Sequence, residues 1–418
     1  MTLLAESKGF SAPDEDTTDT VFLASSYWGS EAPKMHMTVG MAGSTNTINT
    51  DMKNSIGFAS SGGDVSIGCS SRNGQTTTQA HRTHQTAYCI HPISSTSTSV
   101  SGASTYERAA LDSYSAYRVT MDWSDSANDG YNYYLMALGG DDVEDISIDQ
   151  ITTKTGSTGD VSYTGPGFEP DFLICLGVAS LSALPYTDVH MVCQFGMSDG
   201  TTDAGAYNAS INGQGVQSKT YSVHSSNFIH ILDGNANDQV TATVKSLDSS
   251  GYTLNYTNVS SAMRVTIIAV KGPAAKVIAT TQPTSNTTND LDAGFVPKAG
   301  FCLGSMKTAS QTGSDHNRFS IGTWDENNNM DSIGWMDEDN QATSDVDRYI
   351  SNAYSIKNYD HTQSVVGQAS VAVEGNGIRE TWTSTDGSQY AHSWLLLGDK
   401  PSAAATTNEA FLLFLDNL

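Results

Sequence analysis

A short apolar run bounded by proline and glycine occurs three times in this chain. The copies are "PKMHMTVG" (Pro33–Gly40), "PDFLICLG" (Pro170–Gly177) and "PKAGFCLG" (Pro297–Gly304). A run of this length between a proline and a glycine is typical of one buried strand. Because the copies recur at a spacing of roughly 130 residues, we expect one structural unit built three times.

Further elements follow each run in a constant order. The second strand is found at Asn54–Gly63, Met191–Gly200 and Arg318–Asn327. A strand–turn–strand element is found at Glu107–Trp123, Val240–Thr257 and Ser370–Thr383, and a closing apolar strand at Tyr133–Gly140, Val265–Gly272 and Ser393–Gly398. The copies share apolar pattern and turn chemistry rather than identity, which is what packing selects.

The strand–turn–strand element is clearest in the second copy. Its apolar residues alternate with polar ones and share one face: Val240, Ala242 and Val244 before the turn, and Tyr252, Leu254 and Tyr256 after it. Gly251 is expected to give the turn a positive φ. A meander with one apolar face needs a second sheet to cover it. The sequence therefore predicts an all-β fold class, with three tandem, jelly-roll-like β-sandwich domains from an internal repeat.

The repeat sets the expected domain bounds. We assign 1–28 to an N-terminal arm with a connecting strand, 29–142 to repeat 1, 143–272 to a connector strand plus repeat 2, 273–398 to a connector strand plus repeat 3, and 399–418 to a C-terminal tail strand. The connector strands are expected at Asp19–Trp28, Val143–Ile151 and Ala274–Gln282, and the tail segment Asn408–Leu418 is a further version of them. The preferred interpretation is that it pairs inside the third domain. The alternative is that it adds to a sheet edge of a neighbouring subunit.

The net charge and the N-terminal sequence limit which partners and which cellular location we expect. The formal net charge is −25, which disfavours nucleic acid and anionic membranes because their binders present Lys and Arg. The first residues, "MTLLAESKGFSAPDEDTTD", lack the basic and apolar regions of a secretory signal. No apolar run approaches the ~20 residues of a membrane span. We therefore expect a chain that is made in a cytoplasm and does not insert into a membrane.

Five cysteines are present at irregular spacings, so no disulfide framework is predicted. Cys175 and Cys302 lie inside the apolar runs and are expected to pack as small hydrophobic residues.

One histidine-rich stretch carries residue types that bind zinc: His81, His84, Cys89 and His91. Their spacing matches no common zinc module, so a polar loop that contains histidines is preferred.

The stretch Thr323–Asp347 is the most acidic of the chain. Its carboxylates belong to the residue types that bind Ca²⁺: Asp325, Glu326, Asp331, Asp337, Glu338 and Asp339. The other two copies have no matching cluster, so a solvated acidic loop is preferred. "DGNAND" (Asp233–Asp238) resembles half of a Ca²⁺ loop but lacks its turn glycine and its bidentate Glu, and is expected to be a turn.

A P-loop and H-E-x-x-H do not occur in the sequence, and the segment Gly196–Gly200 fits G-x-S-x-G only at the end of a predicted β-strand, without the strand-to-helix turn of a nucleophile elbow. Trp28, Trp324 and Trp335 are of the residue type that stacks on sugar rings, although in a β-sandwich they are as often core or interface residues. We assign no catalytic, cofactor-binding or metal-binding residue and expect no cofactor.

The repeat unit resembles one found in virion structural proteins of tailed bacteriophages. In those proteins a "GF-x-P" turn leads into an apolar strand, followed by "SIGFA"-like, "dGxTLxW"-like and "YLAL"-like strands. The matching segments are Gly167–Gly177, Gly294–Gly304, Ser55–Gly63, Ser249–Thr257 and Tyr133–Gly140. The first copy departs from the pattern at "GSEAP" (Gly29–Pro33), and no functional residue carries over.

The resemblance implies a non-enzymatic structural protein of a bacteriophage virion, which decorates or stabilises the capsid or forms part of the tail surface. Its partners would be other virion proteins, and symmetric self-association is expected, with a trimer as one hypothesis. The alternative function is a receptor- or carbohydrate-binding adhesin whose loops Asp64–Ser101 and Asp325–Asp347 contact a host surface glycan. A glycan-degrading enzyme is disfavoured because no short-period β-helical repeat is visible.

Overall fold

The computed structural model describes residues 2–13, 16–41, 46–125, 131–308, 314–360 and 362–400. These residues form antiparallel strands almost throughout, with a four-residue helix α1 (Ser25–Trp28) and a 3₁₀ turn (Val100–Gly102). The all-β fold class is confirmed. No helix in these ranges has the length and hydropathy needed to cross a bilayer. The predicted tail strand at Asn408–Leu418 lies outside the described residues.

The strands fall into three groups along the chain. The first third contains β1 (Leu4–Ser11), β2 (Thr18–Phe22), β3 (Pro33–Met41), β4 (Ile48–Thr50), β5 (Met52–Ser60), β6 (Gly63–Ser71), β7 (Ala80–Gln85), β8 (Ile93–Ser95), β9 (Ala103–Thr105), β10 (Arg108–Ser115), β11 (Arg118–Asp125) and β12 (Asn132–Gly139). The second contains β13 (Asp145–Thr152), β14 (Gly159–Tyr163), β15 (Phe172–Ser180), β16 (Tyr186–Val189), β17 (Met191–Ser198), β18 (Asp203–Ser210), β19 (Thr220–Ser225), β20 (Ile229–Leu232), β21 (Asp238–Asp248), β22 (Gly251–Val259) and β23 (Arg264–Lys271). The last contains β24 (Ala274–Thr281), β25 (Thr288–Asp292), β26 (Pro297–Thr308), β27 (Ser314–Asp315), β28 (Asn317–Asp325), β29 (Met330–Asp337), β30 (Val346–Ser351), β31 (Ile356–Tyr359), β32 (Val365–Glu374), β33 (Gly377–Thr385) and β34 (Tyr390–Gly398).

Three seven-stranded sheets, which we call inner sheets 1, 2 and 3, have equivalent strand orders. The orders are β1-β12-β3-β5-β6-β7-β16, β13-β23-β15-β17-β18-β19-β27 and β24-β34-β26-β28-β29-β30-β4. In each sheet the closing strand (β12, β23 or β34) lies between the Pro-to-Gly strand and a connector strand (β1, β13 or β24). The connector expected at Asp19–Trp28 is wrong, because β1 takes its place and Thr18–Phe22 pairs in a different sheet. Whether the three assigned ranges are separate domains stays a prediction.

The seventh strand of each inner sheet comes from a different third of the chain. β16 pairs with β7 in inner sheet 1, β27 pairs with β19 in inner sheet 2, and β4 pairs with β30 in inner sheet 3. Each of these clasp strands belongs to the connection that follows the Pro-to-Gly strand of its own third. Sheet 1 therefore receives a strand from the second third, sheet 2 from the last and sheet 3 from the first, which closes a cycle.

Each inner sheet is buried on both faces. One face of all three contributes to a single shared apolar core. The other face is covered by a smaller outer sheet: β10-β11-β2 on sheet 1, β14-β22-β21-β20 on sheet 2 and β25-β33-β32-β31 on sheet 3. Phe172, Ile174 and Leu176 belong to the shared core, whereas Leu173 and Cys175 belong to the core beneath the outer sheet. Burial of both faces explains why the run Phe172–Leu176 is apolar throughout rather than alternating.

A glycine near the middle of each second strand lets another segment pass close above it. A Cβ added to Gly57 would lie 1.9 Å from the backbone carbonyl oxygen of Cys89. A Cβ added to Gly196 would lie 1.9 Å from that of Phe228, and one added to Gly322 would lie 1.7 Å from that of Ser355. Side chains other than hydrogen cannot occupy that space. These glycines belong to the "SIGFA"-like motif, which is therefore a packing requirement of the repeat.

The predicted strand–turn–strand element of the second copy is observed as β21 and β22, and the residues expected to share a face are buried. The expected role of Gly251 is wrong. This glycine lies in β22 without a left-handed φ, and an added Cβ would lie 1.9 Å from the carbonyl oxygen of Tyr163. It is required by close strand approach rather than by turn geometry.

Candidate functional site

The inner sheets meet at three joints, and equivalent hydrogen bonds occur at each. The residue before each second strand is left-handed, with φ of 64° at Asp51, 68° at His190 and 71° at His316. Its carbonyl accepts a hydrogen bond from the sheet that receives the clasp: Arg82 Nη1 to His190 (3.2 Å), Ser222 Oγ to His316 (2.8 Å) and Arg348 Nη1 to Asp51. Each clasp strand is thus fixed by a side chain as well as by its backbone pairing.

A second set of equivalent bonds uses the turn after the third strand of each copy. The turns read "NGQ" (73–75), "NGQ" (212–214) and "DNQ" (339–341). Their first side chains accept backbone N–H groups of another third of the chain: Asn73 from Val346 (3.0 Å), Asn212 from Ala80 (2.9 Å) and Asp339 from Thr220 (2.7 Å). These turns were missed in the sequence, although their similar spacing from the neighbouring strands was a usable signal.

The third joint, between inner sheets 3 and 1, differs from the other two in chemistry. By strand register, three equivalent positions can be compared across the joints. One is the fourth residue of the connector strand. The other two lie in the neighbouring third: the residue after the second-strand glycine, and the residue paired with it on the third strand. The first joint has Ile148, Phe58 and Val65, and the second has Val277, Met197 and Ala204, all packed in or against the shared core. The third joint has Ser7, Thr323 and Asp331, which are 2 %, 3 % and 6 % exposed.

These three polar side chains bond to one another. Ser7 Oγ lies 2.8 Å from Thr323 Oγ1 and donates to Asp331 Oδ2. The Ser7 backbone N–H donates to Asp325 Oδ2 at 2.8 Å, as the Val277 N–H does to Asp199 Oδ2 at 2.9 Å in the second joint. Asp325 therefore repeats a structural contact, whereas Asp331 has no polar counterpart in the other two joints.

Several carboxyl groups are concentrated at this joint. Burial raises the pKa of Asp331 to about 7, and it also raises the pKa of Asp325 and of Glu6. Glu6 accepts a hydrogen bond from Trp28 Nε1 at 2.9 Å, and Glu326 accepts one from the Tyr27 hydroxyl at 2.6 Å. The joint can therefore accept hydrogen bonds, and Asp331 can exchange a proton near neutral pH.

A cleft of about 450 Å³ opens beside the polar triad. Its lining comes from the connector strand of the first third, the start of β12, the turn between β28 and β29, and the loop after β30: Ser7, Lys8, Gly9, Phe10, Ser11, Asn132, Tyr133, Tyr134, Asn328, Asn329, Met330, Asp331 and Asn352. Amide, hydroxyl and carboxyl groups dominate this lining. The cleft is the candidate functional site of the chain.

The histidine-rich stretch does not converge on one point. His81 bonds Ser95 Oγ and the Ser99 carbonyl, both at 2.8 Å, while His84 Nε2 lies 2.9 Å from Thr266 Oγ1 of the second third. Complete burial lowers the pKa of His84 to about 3. His81 and His84 lie in the buried strand β7, so the expected polar loop is wrong there, whereas Cys89 and His91 lie in the connection that follows and are also buried. Within the ranges described, no group of three or more His, Cys, Asp or Glu is placed to hold a metal ion.

The expectation of a solvated acidic loop at Thr323–Asp347 is also wrong. The stretch contains the end of β28, all of β29 and the start of β30, and Asp325, Asp331 and Asp337 are buried. Their partners come from distant parts of the chain; Ser71, for example, donates to Asp337 at 2.8 Å. The segment Asp233–Asp238 is a turn, as predicted, in which Asp233 accepts the N–H groups of Asn235 and Asn237.

The tryptophans considered for sugar stacking are all buried: Trp28, Trp324 and Trp335 are at most 1 % exposed. The cysteines are unpaired and buried, and Cys175 and Cys302 lie in apolar cores as expected. Burial raises the pKa of both thiols well above its usual range.

Comparison with protein-family models, with curated proteins and with solved structures finds no match to this chain.

Proposed function

We propose that this chain is a non-enzymatic structural protein of a bacteriophage virion, placed on the capsid or tail surface. The observation that carries the proposal is the closed cycle of clasp strands around one shared core. Such an arrangement joins the three thirds of the chain through both the clasp strands and the shared core. The role that best fits three thirds joined in this way is that of a rigid building block.

The cycle resists separation of the thirds at every joint. Three kinds of contact must break before one inner sheet can move away. They are the backbone pairing of a clasp strand, the side-chain hydrogen bond to the carbonyl of the left-handed residue after the clasp, and the hydrogen bond from the neighbouring turn. The thirds would also have to expose the shared core, and burial of apolar surface stabilises by about 25 cal/mol per Å². The net charge of −25 favours solubility and disfavours non-specific association.

The threefold-like arrangement suits a place where three similar subunits meet. One chain would offer three related faces to the three subunits, so partners on the particle would be other virion proteins. The predicted homo-oligomer is tested by mass photometry, in which a single chain has a mass of 44.4 kDa.

The deciding experiment uses virus particles whose genome encodes this chain. Particles purified by two density gradients and washed in high salt are analysed by quantitative mass spectrometry. A fixed copy number relative to the major capsid protein is expected, and non-structural proteins of the same lysate serve as the negative control. Absence of the chain from washed particles would end the proposal.

A further inference from the structure

We infer that the cleft at the third joint binds a neutral oligosaccharide. The inference does not rest on the virion proposal, because a sugar site can be present on any of the locations considered.

Packing alone does not explain the polar triad. The first two joints fill the same three positions with apolar side chains, including Val277, Met197 and Ala204 at the second. Burial of Ser7, Thr323 and Asp331 requires compensating hydrogen bonds and gives less stabilisation than an apolar contact. Departures from the pattern that packing selects are expected at functional sites.

The connector strand β1 also offers backbone groups to the cleft. In an antiparallel pair, successive residues turn their N–H and C=O groups alternately toward and away from the partner strand. Ser7 points its N–H away from β12, toward Asp325, so Gly9 and Ser11 also point away from β12. Both residues line the cleft, where their groups are within reach of a ligand.

The side chains of the lining fit a sugar. Asn328 and Asn352 supply amides that donate and accept, and Asp331 supplies a carboxyl group that accepts from hydroxyls. Phe10 is half-buried and its ring stacks on Tyr133 at a centroid distance of 5.7 Å, which leaves an apolar surface beside the polar groups. The volume of about 450 Å³ lies in the range of small-ligand sites.

Charge selects among ligands with hydroxyl groups. The groups of the lining that can carry a charge are Asp331 and Lys8, which have opposite signs. The carboxyl groups of Glu6 and Asp325 also lie at this joint, and the whole chain carries −25. Phosphorylated, sulfated and uronic sugars would meet repulsion, so the ligand is uncharged. An extended peptide added to β1 is the competing occupant. It is disfavoured because the lining has few apolar positions to receive peptide side chains.

The test transfers the apolar side chains of the second joint to the third joint. The variant Ser7→Val, Thr323→Met, Asp331→Ala installs the apolar triad of the second joint, which this chain already packs. Asn328 has a left-handed φ of 62°, so Asn328→Gly removes its amide without strain. Asn376→Ala, in the turn between β32 and β33, removes an amide away from the cleft and is the matched control.

All four proteins are applied to a printed array of neutral, amino, uronic and sulfated oligosaccharides, and to a random peptide library. We expect neutral oligosaccharides to bind the wild type and Asn376→Ala equally. Titration calorimetry with the strongest of them should show about tenfold weaker binding by each cleft variant, since one lost hydrogen bond has that effect. Thermal unfolding checks that the triad variant folds; if it does not, Asn328→Gly decides. The inference is overturned by no signal from neutral sugars, by undiminished binding in the cleft variants that fold, or by a preference for peptides.

Discussion

The sandwich of inner and outer sheet 3 contains a buried carboxylate where the second sandwich has a leucine. Glu380 is fully buried and accepts hydrogen bonds from His392 Nε2 and Trp394 Nε1, both at 2.7 Å. Trp382 and Asn289 donate to its other oxygen at 3.2 and 3.1 Å. Burial alone would raise the pKa of Glu380, but the charge of His392 and the donated bonds outweigh it and lower the pKa. Glu380 and His392 therefore form a hydrogen-bonded pair inside an apolar core.

The second sandwich shows what could replace this pair. By strand register, Leu254 corresponds to Glu380 and Val265 corresponds to His392. The single change Glu380→Leu leaves His392 and the indole N–H groups of Trp382 and Trp394 buried without their acceptor, and breaking a buried, hydrogen-bonded pair in this way costs about 3–5 kcal/mol. The double change Glu380→Leu, His392→Val removes both members of the pair. It leaves the indole N–H groups unpaired, so we expect it to be about 2 kcal/mol less stable than wild type but about 2 kcal/mol more stable than the single variant.

Equilibrium urea unfolding, followed by tryptophan fluorescence and circular dichroism, measures these differences. Coincident transitions by the two probes are needed before free energies are compared. Leu254→Glu with Val265→His at the second sandwich is the matched control and should destabilise, because that core has no indole donors arranged around the new pair. The reasoning is refuted if Glu380→Leu lies within about 1 kcal/mol of wild type, or if the double variant is no more stable than the single one.

Three further outcomes are expected. Burial raises the pKa of Asp337 to about 7, so the folded chain holds a proton that the unfolded chain releases near pH 4, and stability from this group falls as the pH rises from about 4 to 7. Asp337→Asn should therefore raise the free energy of unfolding by about 2–4 kcal/mol at pH 8 and by clearly less at pH 5 in urea titrations; an equal gain at both pH values contradicts this. Gly196→Ala should abolish soluble folded protein, since its Cβ would meet the Phe228 carbonyl, whereas Gly234→Ala, with open space around it, should fold normally by circular dichroism. Arg82→Met loses bonds to Tyr186, Asp188 and His190, so hydrogen exchange at the amides of β16 should quicken about tenfold while β27 is unchanged; equal protection of β16 would show that the side chain does not hold the clasp.

The sequence was sufficient for the apolar strands of the repeat and their faces, because apolar period and turn residues are local, whereas the polar strand β7 and the acidic strand β29 were missed. It was not sufficient for the clasps. Thr187 pairs with Thr83 in a strand of only four residues, and a short polar strand has no apolar period to reveal it. The same limit produced the error at Asp331, whose hydrogen-bond partner Ser7 is 324 positions away. An acidic stretch suggests a solvated loop when the hydrogen-bond donors to its buried carboxyl groups lie elsewhere in the chain.

The repeat itself contains the information needed to find the unusual positions. Two copies that agree on an apolar side chain show what packing requires there, so a polar side chain in the third copy calls for another explanation. The triad at the third joint meets that criterion, and so does Glu380, which lies where the second copy has Leu254 and the first has Met121. They differ in access, because Asp331 lines a cleft of about 450 Å³ whereas Glu380 is sealed by its four donors. A sealed polar cluster can act only on stability, and an open one can also bind a ligand, which is why the oligosaccharide site is assigned to the third joint.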